Sequence, residues 1–165
     1  MSQHPELLNQ AYSWSETDSE TAIMAAGQVG SASVAEFLLA MGAPLSISTA
    51  AMLGRKADIE RFLETSPENI RAKGAHGIPL LPHAALSGNL EIVRMLFERG
   101  AHEGTSFALH NAVNRGYAEM AKWLLDNAKP DVNWKNYEGK TALTVALERK
   151  DEALAGLLRR HGGTE

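Results

Sequence analysis

Between Asn89 and Gly100, the apolar residues Ile92, Val93, Leu96 and Phe97 are interleaved with the polar residues Glu91, Arg94, Glu98 and Arg99. Steps of three and four residues place the apolar side chains on one helix face. The pattern therefore predicts an amphipathic helix of about three turns. Gly100 stands where a left-handed residue would close it. Just upstream, Leu81, Ala84 and Ala85 fall at i, i+3 and i+4 and predict a shorter helix lined with alanine, broken at Gly88. Together the two make a helix–turn–helix hairpin.

The hairpin recurs along the chain. Aligned on the residue between the helices, the units read TAIMAAGQVGSASVAEFLLAMGA, LSISTAAMLGRKADIERFLE, PLLPHAALSGNLEIVRMLFERGA, FALHNAVNRGYAEMAKWLLDNA and TALTVALERKDEALAGLLRRHGG. The anchors are Gly30, Gly54, Gly88, Gly116 and Lys150, at spacings of 24, 34, 28 and 34 residues. Self-similarity at this period is the signature of a solenoid, in which no unit buries its apolar faces alone.

Leu96-Phe97-Glu98-Arg99-Gly100-Ala101, Ala108-Leu109-His110 and Gly139-Lys140-Thr141-Ala142-Leu143 match parts of the unit of one repeat family, and Asp131-Val132-Asn133 fits its finger. Over about residues 19–163 the chain resembles the ankyrin-repeat family. The resemblance implies an all-α solenoid with units of roughly 19–44, 45–73, 74–104, 105–135 and 136–165. Spacings of 24 and 28 leave no room for a full β-hairpin finger, so fingers are expected only at Asn69–Gly77 and Asp131–Gly139. The family's first-helix histidine, which ties adjacent turns by hydrogen bonding, is present only as His110. Met24, Ser48, Pro82 and Thr144 take its place elsewhere. Ala25-Ala26, Ala50-Ala51 and Ala84-Ala85 are expected to let the first helices approach closely on the concave side. Residues 1–18 fall outside the repeats. They are expected to form a short capping helix through Glu6, Leu7, Leu8, Ala11 and Tyr12, with Trp14 packed nearby. Arg159, Arg160 and His161 give the last helix a polar end suited to its dipole.

Composition narrows the function more than the fold. The chain has 165 residues, 44% hydrophobic and 22% charged, with a formal net charge of −4, and lacks the basic excess of a nucleic-acid binder. It has no cysteine, which excludes disulfides, thiolate metal sites and a cysteine nucleophile. MSQHPELLNQAYSWSE has neither the basic nor the apolar region of a signal peptide. No apolar run approaches the roughly 20 residues that span a bilayer. The expectation is a soluble, cytoplasmic chain, monomeric in preference to homo-oligomeric.

Candidate chemistry is sparse. His76, His83, His102 and His110 show no HExxH spacing, and GxSxG is missing. Gly27-Gln28-Val29-Gly30 lacks the lysine of a phosphate loop. Glu16, Asp18 and Glu20 read as a solvated helix start capped by Asp18 or Ser19. His83 is expected to be a packed or partly exposed ring and His102 a loop residue. Trp123, on the stripe Met120–Leu124, is expected in the core. No catalytic, cofactor or metal residues are assigned.

The resemblance points instead to protein binding along the concave groove and fingers. Carried over position by position, the residues before the inter-helix anchors are Gln28-Val29, Met52-Leu53, Leu86-Ser87, Asn114-Arg115 and Glu148-Arg149. The finger positions are His76, Ile78, Ser106, Tyr137, Glu138 and Lys140, with Trp134 beside them. Met52, Leu53 and Leu86 read either as an exposed apolar patch or as packing between units. Trp134 with Tyr137 is the sharpest candidate contact, since aromatics are enriched at binding hot spots. The alternative for Trp134 is packing on Trp123 or Leu124. The leading expectation is a non-enzymatic module that holds one partner protein. The rivals are a metal-dependent enzyme using His76, His83 and His110, and a stable regulatory subunit of a larger enzyme.

Overall fold

Each of five helix pairs reverses direction through one residue with left-handed backbone. These residues are Gly30 (φ 69°), Gly54 (70°), Gly88 (74°), Gly116 (75°) and Lys150 (57°), the same five that align the repeats in sequence. The computed structural model describes residues 8–13, 15 and 19–165. The pairs are α1 (Ala22–Val29) with α2 (Ala32–Ala40), α3 (Ile47–Met52) with α4 (Lys56–Thr65), and α5 (Leu80–Leu86) with α6 (Leu90–Glu98). They continue with α7 (Thr105–Arg115) and α8 (Ala118–Asn127), then α9 (Ala142–Glu148) and α10 (Glu152–Arg160).

The inner helices α3, α5, α7 and α9 touch in sequence order. Ala50, Ala51, Ala84, Ala85, Ala108 and Ala112 are fully buried between them, because only a methyl side chain leaves room for such close backbones. Ile59, Ile92, Val93, Leu96, Met120, Leu124, Leu154 and Leu158 fill the layer behind. Each large side chain so buried contributes about 1.5–3 kcal/mol. Trp123 lies at the outer edge of that layer, half-buried rather than in the core. Its ring meets Phe97 edge-on at 5.5 Å, with the Arg94 guanidinium 5.8 Å above it.

The fingers are reduced. One narrows to a single antiparallel bridge, Lys73 with Pro79, closed by Gly74 N–H donating to the Ile78 carbonyl at 2.8 Å. The other is a turn in which Asn136 N–H donates to the Lys140 carbonyl at 3.0 Å. His110 Nε2 donates to the Trp134 carbonyl at 3.2 Å and so ties this second finger to α7.

At the other end the expectation changes. Ala11 and Tyr12 lie in strand β1 (Ala11–Ser13), paired antiparallel with β2 (Ser19–Thr21), and not in a helix. The rest of the expected capping helix before Leu8, together with Trp14, lies outside the described residues. Thr21, not Ser19, is the N-cap of α1, and Asp18 is outside the described residues. The leucine of Leu8 reaches to 4.0 Å from where a side chain on Gly42 would begin. On α2, Val34, Phe37 and Met41 stay exposed, at 47%, 62% and 40%.

Helix α1 does not continue the row of inner helices. Packed helices stand about 8–10 Å apart, so a first helix in line would be roughly 25–30 Å from α7. Instead Gly27 lies 3.4 Å from Thr49 Oγ1 of α3 at the point where a Cβ would stand. The Gly27 carbonyl accepts from His83 Nδ1 of α5 at 3.3 Å. Arg115 at the end of α7 donates from Nη2 to the Val29 and Gly30 carbonyls, at 3.0 and 3.3 Å. Thus α1 lies across the inner face of α3 and α5, its carbonyl end held by an arginine three pairs away. Lysine and arginine favour this position because the last carbonyls of a helix lack partners and carry its negative dipole end.

His83 marks the contact. The ring is 2% exposed, and with Nδ1 donating to Gly27, the bare Nε2 is left without a hydrogen-bond partner among the described residues. A Cβ on Gly74 would stand 2.4 Å from that Nε2. Glycine is required at position 74 by close approach alone, since its φ of −86° suits any residue. Burial pushes the pKa of His83 down, while the Gly27 and Ile78 backbone pulls it partly back. Burial likewise lowers the pKa of His110, against the Trp134 carbonyl.

Three outcomes follow from this packing. Lys150→Gly removes a side chain from left-handed backbone, a conformation that costs about 1–2 kcal/mol outside glycine, and raises the Tm in a thermal melt. Gly74→Ala drives a methyl into the His83 ring, destabilises by about 1–3 kcal/mol, and speeds amide exchange in α1 more than in α7–α10. Both buried histidines have folded pKa values below the ordinary 6.5. Above that value both states are neutral and stability is intact. As pH falls below it, only the unfolded chain takes up the proton, and stability declines. Melts between about pH 7.5 and 5 therefore show a falling Tm, with a shallower slope in His83→Leu.

Candidate functional site

The displaced α1 divides the concave side in two. Over α3 and α5 it leaves little surface: Ile47 to Met52 and Leu80 to Ala85 are all buried. Met52, 3% exposed, packs with Ala26 and Ala35, and half-buried Leu53 and Leu86 lie against the same cluster. Of the two readings of this apolar group, packing between units is the observed one, and Met52 has no surface to offer a partner. The physical reason is that α1 and α2 cover these side chains through Ala26, Ala35 and Leu38. Ser87 is half-buried, its hydroxyl donating to the Ala84 carbonyl at 2.6 Å and accepting from Asn89 N–H at 3.0 Å. His76 stands at the finger tip (φ 53°), with Nε2 3.7 Å from a carboxylate oxygen of Glu20. Ile78 is half-buried beneath it.

Beyond α5 the inner face is open. A cleft of about 410 Å³ lies between α7, α9 and the second finger. Trp134 forms one wall. It does not reach Trp123 or Leu124 but stacks on Phe107, with centroids 5.6 Å apart and planes at 29°, and meets His110 edge-on at 5.2 Å. The ring stands here because the His110 hydrogen bond fixes the backbone of its own residue. Asn136 shapes the turn that follows, its side-chain carbonyl accepting from Glu138 and Lys140 N–H groups at 3.0 Å each. That turn projects Tyr137, which is 93% exposed.

Charges line the rim in a definite order. Lys140 Nζ lies 3.0 Å from Glu138 and 2.8 Å from Glu148. The Glu148 bond and then the Glu138 bond raise the lysine pKa, and Lys140 with Tyr137 holds Glu138 below the usual carboxylate range. Arg149 Nη1 donates to the Asn114 carbonyl at 2.6 Å, and its Nη2 lies 3.0 Å from the Cβ position of Gly116. It therefore covers the turn next to Arg115.

Of the residues expected to contact a partner, Asn114, Trp134, Tyr137, Glu138, Lys140, Glu148 and Arg149 come together on this one cleft. Arg115 lies at its edge, turned toward α1. Ser106 accepts from Asp131 N–H at 2.9 Å and braces the finger from below. Phe107, Asn111 and Val145 also line the cleft and were not singled out in the sequence. A signal for two of them was present, since Phe107, His110, Asn111 and Asn114 fall at i, i+3, i+4 and i+7 on one face of α7. The rival metal site is not assembled. His83 is sealed under α1, His110 is bonded to the finger, and among the described residues no group of three or more His, Asp or Glu is placed to hold a metal ion. Nor is any helix among them long and apolar enough to cross a membrane.

Comparison with known proteins agrees with this geometry. The family model described as ankyrin repeats (3 copies) matches residues 81–164, which hold α6 to α10 and nearly all of α5. A protein of fowlpox virus (strain NVSL) named as an ankyrin repeat protein is 30% identical over 115 residues, 66% of this chain and 26% of its own length. One named as ankyrin repeat-containing in Treponema pallidum (strain Nichols) is 36% identical over 96 residues, 54% of this chain and 32% of its own. Protein phosphatase 1 regulatory subunit 27 of Homo sapiens is 34% identical over 79 residues, 43% of this chain and 51% of its own. The chain thus spans a quarter to a half of the length of these relatives. The matched helix pairs are the regular ones, and α1 to α4, where the row is broken, lie outside the family match. With α3, α5, α7 and α9 in one row and left-handed inter-helix turns, and a family match over 84 of its 165 residues, this chain belongs to the ankyrin-repeat family.

Proposed function

We propose that the chain is a non-enzymatic binding module that holds a partner protein in the open half of its groove, over α7, α9 and the second finger. Ankyrin repeats are in general protein–protein interaction modules. The observation that carries the reading here is the placement of Trp134. Its ring is held by Phe107 and His110 yet still walls an open cleft, with exposed Tyr137 beside it. Rigid aromatic surface in a concave site contributes contact area with little loss of side-chain freedom on binding. Neutral Asn111 and Asn114 on the α7 side suit the backbone of a bound segment. The N-terminal half of the groove, covered by α1, takes no part.

Affinity capture from the source lysate tests this. Tyr137→Ala and Trp134→Ala/Tyr137→Ala run beside the wild type, with helical content checked by circular dichroism. Tyr137 packs on nothing in the core, so its variant is expected to fold normally. One protein retained by the wild type, reduced by the single variant and lost by the double is the expected result. Equal retention by all three would move the site away from the cleft.

A further inference from the structure

The cleft also has a chemical preference, which we infer from its unbalanced charges: it takes an extended segment of a partner protein that carries an aliphatic or aromatic side chain close to an Asp or Glu. The inference rests on the cleft being the binding site. Phe107, Trp134 and Val145 supply the apolar surface for the first side chain. The acid is assigned from Arg149, which lines the cleft, with Arg115 next to it turned toward α1. On the finger side the charges are largely satisfied within the chain, because Lys140 is shared between Glu138 and Glu148. On the other side Arg149 donates to the Asn114 carbonyl and Arg115 to those of Val29 and Gly30. Neither guanidinium has a carboxylate within ion-pairing distance among the described residues.

A guanidinium bonded only to backbone carbonyls keeps its full charge and most of its five donors, in a fork that matches a carboxylate. Arg149 is also held in place, its tip lying over Gly116, where any Cβ would crowd it. A carboxylate arriving there meets a fixed donor and loses little further freedom on binding. A polyanion such as a nucleic acid is disfavoured, because Glu138 and Glu148 share the rim and the whole chain carries −4. A single acidic residue beside an apolar one is what the two poles accept together.

The probe is a phage-displayed library of random 12-residue peptides, panned against the wild type, Trp134→Ala and Arg149→Gln. Thermal melts confirm that each variant is folded. The wild type is expected to enrich peptides pairing an apolar residue with a nearby acid. A synthetic peptide from that set loses about tenfold in affinity on Arg149→Gln, in line with loss of a charge-assisted hydrogen bond. Changing the peptide's acid to its amide costs the same, and the two changes together cost no more than either alone. Enriched peptides without acid, whose binding Trp134→Ala abolishes and Arg149→Gln does not, overturn the acidic preference and leave the cleft as the site. Peptides indifferent to both substitutions overturn the cleft itself. Failure to enrich any peptide overturns recognition of an extended segment, while leaving a folded partner as the occupant of the groove.

Discussion

The left-handed residue between the two helices of each pair is the constraint from which the rest of the array follows. It lets the second helix fold back against the first within a single turn. That puts the alanine-lined helix inside and the one with the larger apolar side chains outside. Four glycines meet the requirement without strain, and Lys150 meets it against its own preference, with φ of 57°. That a lysine adopts the same conformation shows that packing against the neighbouring pair, through Leu154, Ala155, Leu157 and Leu158, outweighs a local cost of about 1–2 kcal/mol.

The first and last helix pairs differ in how they pack. Helix α10 keeps an exposed polar face that carries Glu152, Arg159 and Arg160. At the other end α1 leaves the row and lies over the inner face of α3 and α5. Three polar contacts mark the move: Gly27 with His83, and Val29 and Gly30 with Arg115. Its consequence is a groove of unequal halves, one filled by the chain and one open. Helix α2, packed beside α1, keeps Val34, Phe37 and Met41 exposed.

Within the open half, the same groups that hold the fold shape the site. The His110 hydrogen bond positions the finger and thereby sets Trp134 on Phe107. Arg149 closes the end of α7 by donating to Asn114, and in doing so presents its guanidinium at the rim. A side chain already fixed by a structural contact offers its remaining donors with little further entropy to lose.

Repetition was legible in the sequence because it is local. The i, i+3, i+4 spacing, the alanine pairs and the anchors down to Lys150 each depend on residues within one or two turns. His110 and the rim residues from Asn114 to Arg149 were legible from repeat position instead, although the His110 bond reaches 24 residues to Trp134. The place of α1 was not legible. Ala25 and Ala26 look like the alanine pairs of the other inner helices, and nothing local separates Arg115 from Arg149. Yet one reaches 86 residues back to Val29 and the other 35 to Asn114. His83 likewise looks like a groove residue until Gly27 is laid across it. Sequence by itself determined the unit, its fold and its inter-helix turns, because short-range periodicity encodes which face each helix buries. Only the tertiary structure decided which half of the groove is open, because that depends on contacts between units far apart in the chain, which leave no periodic trace.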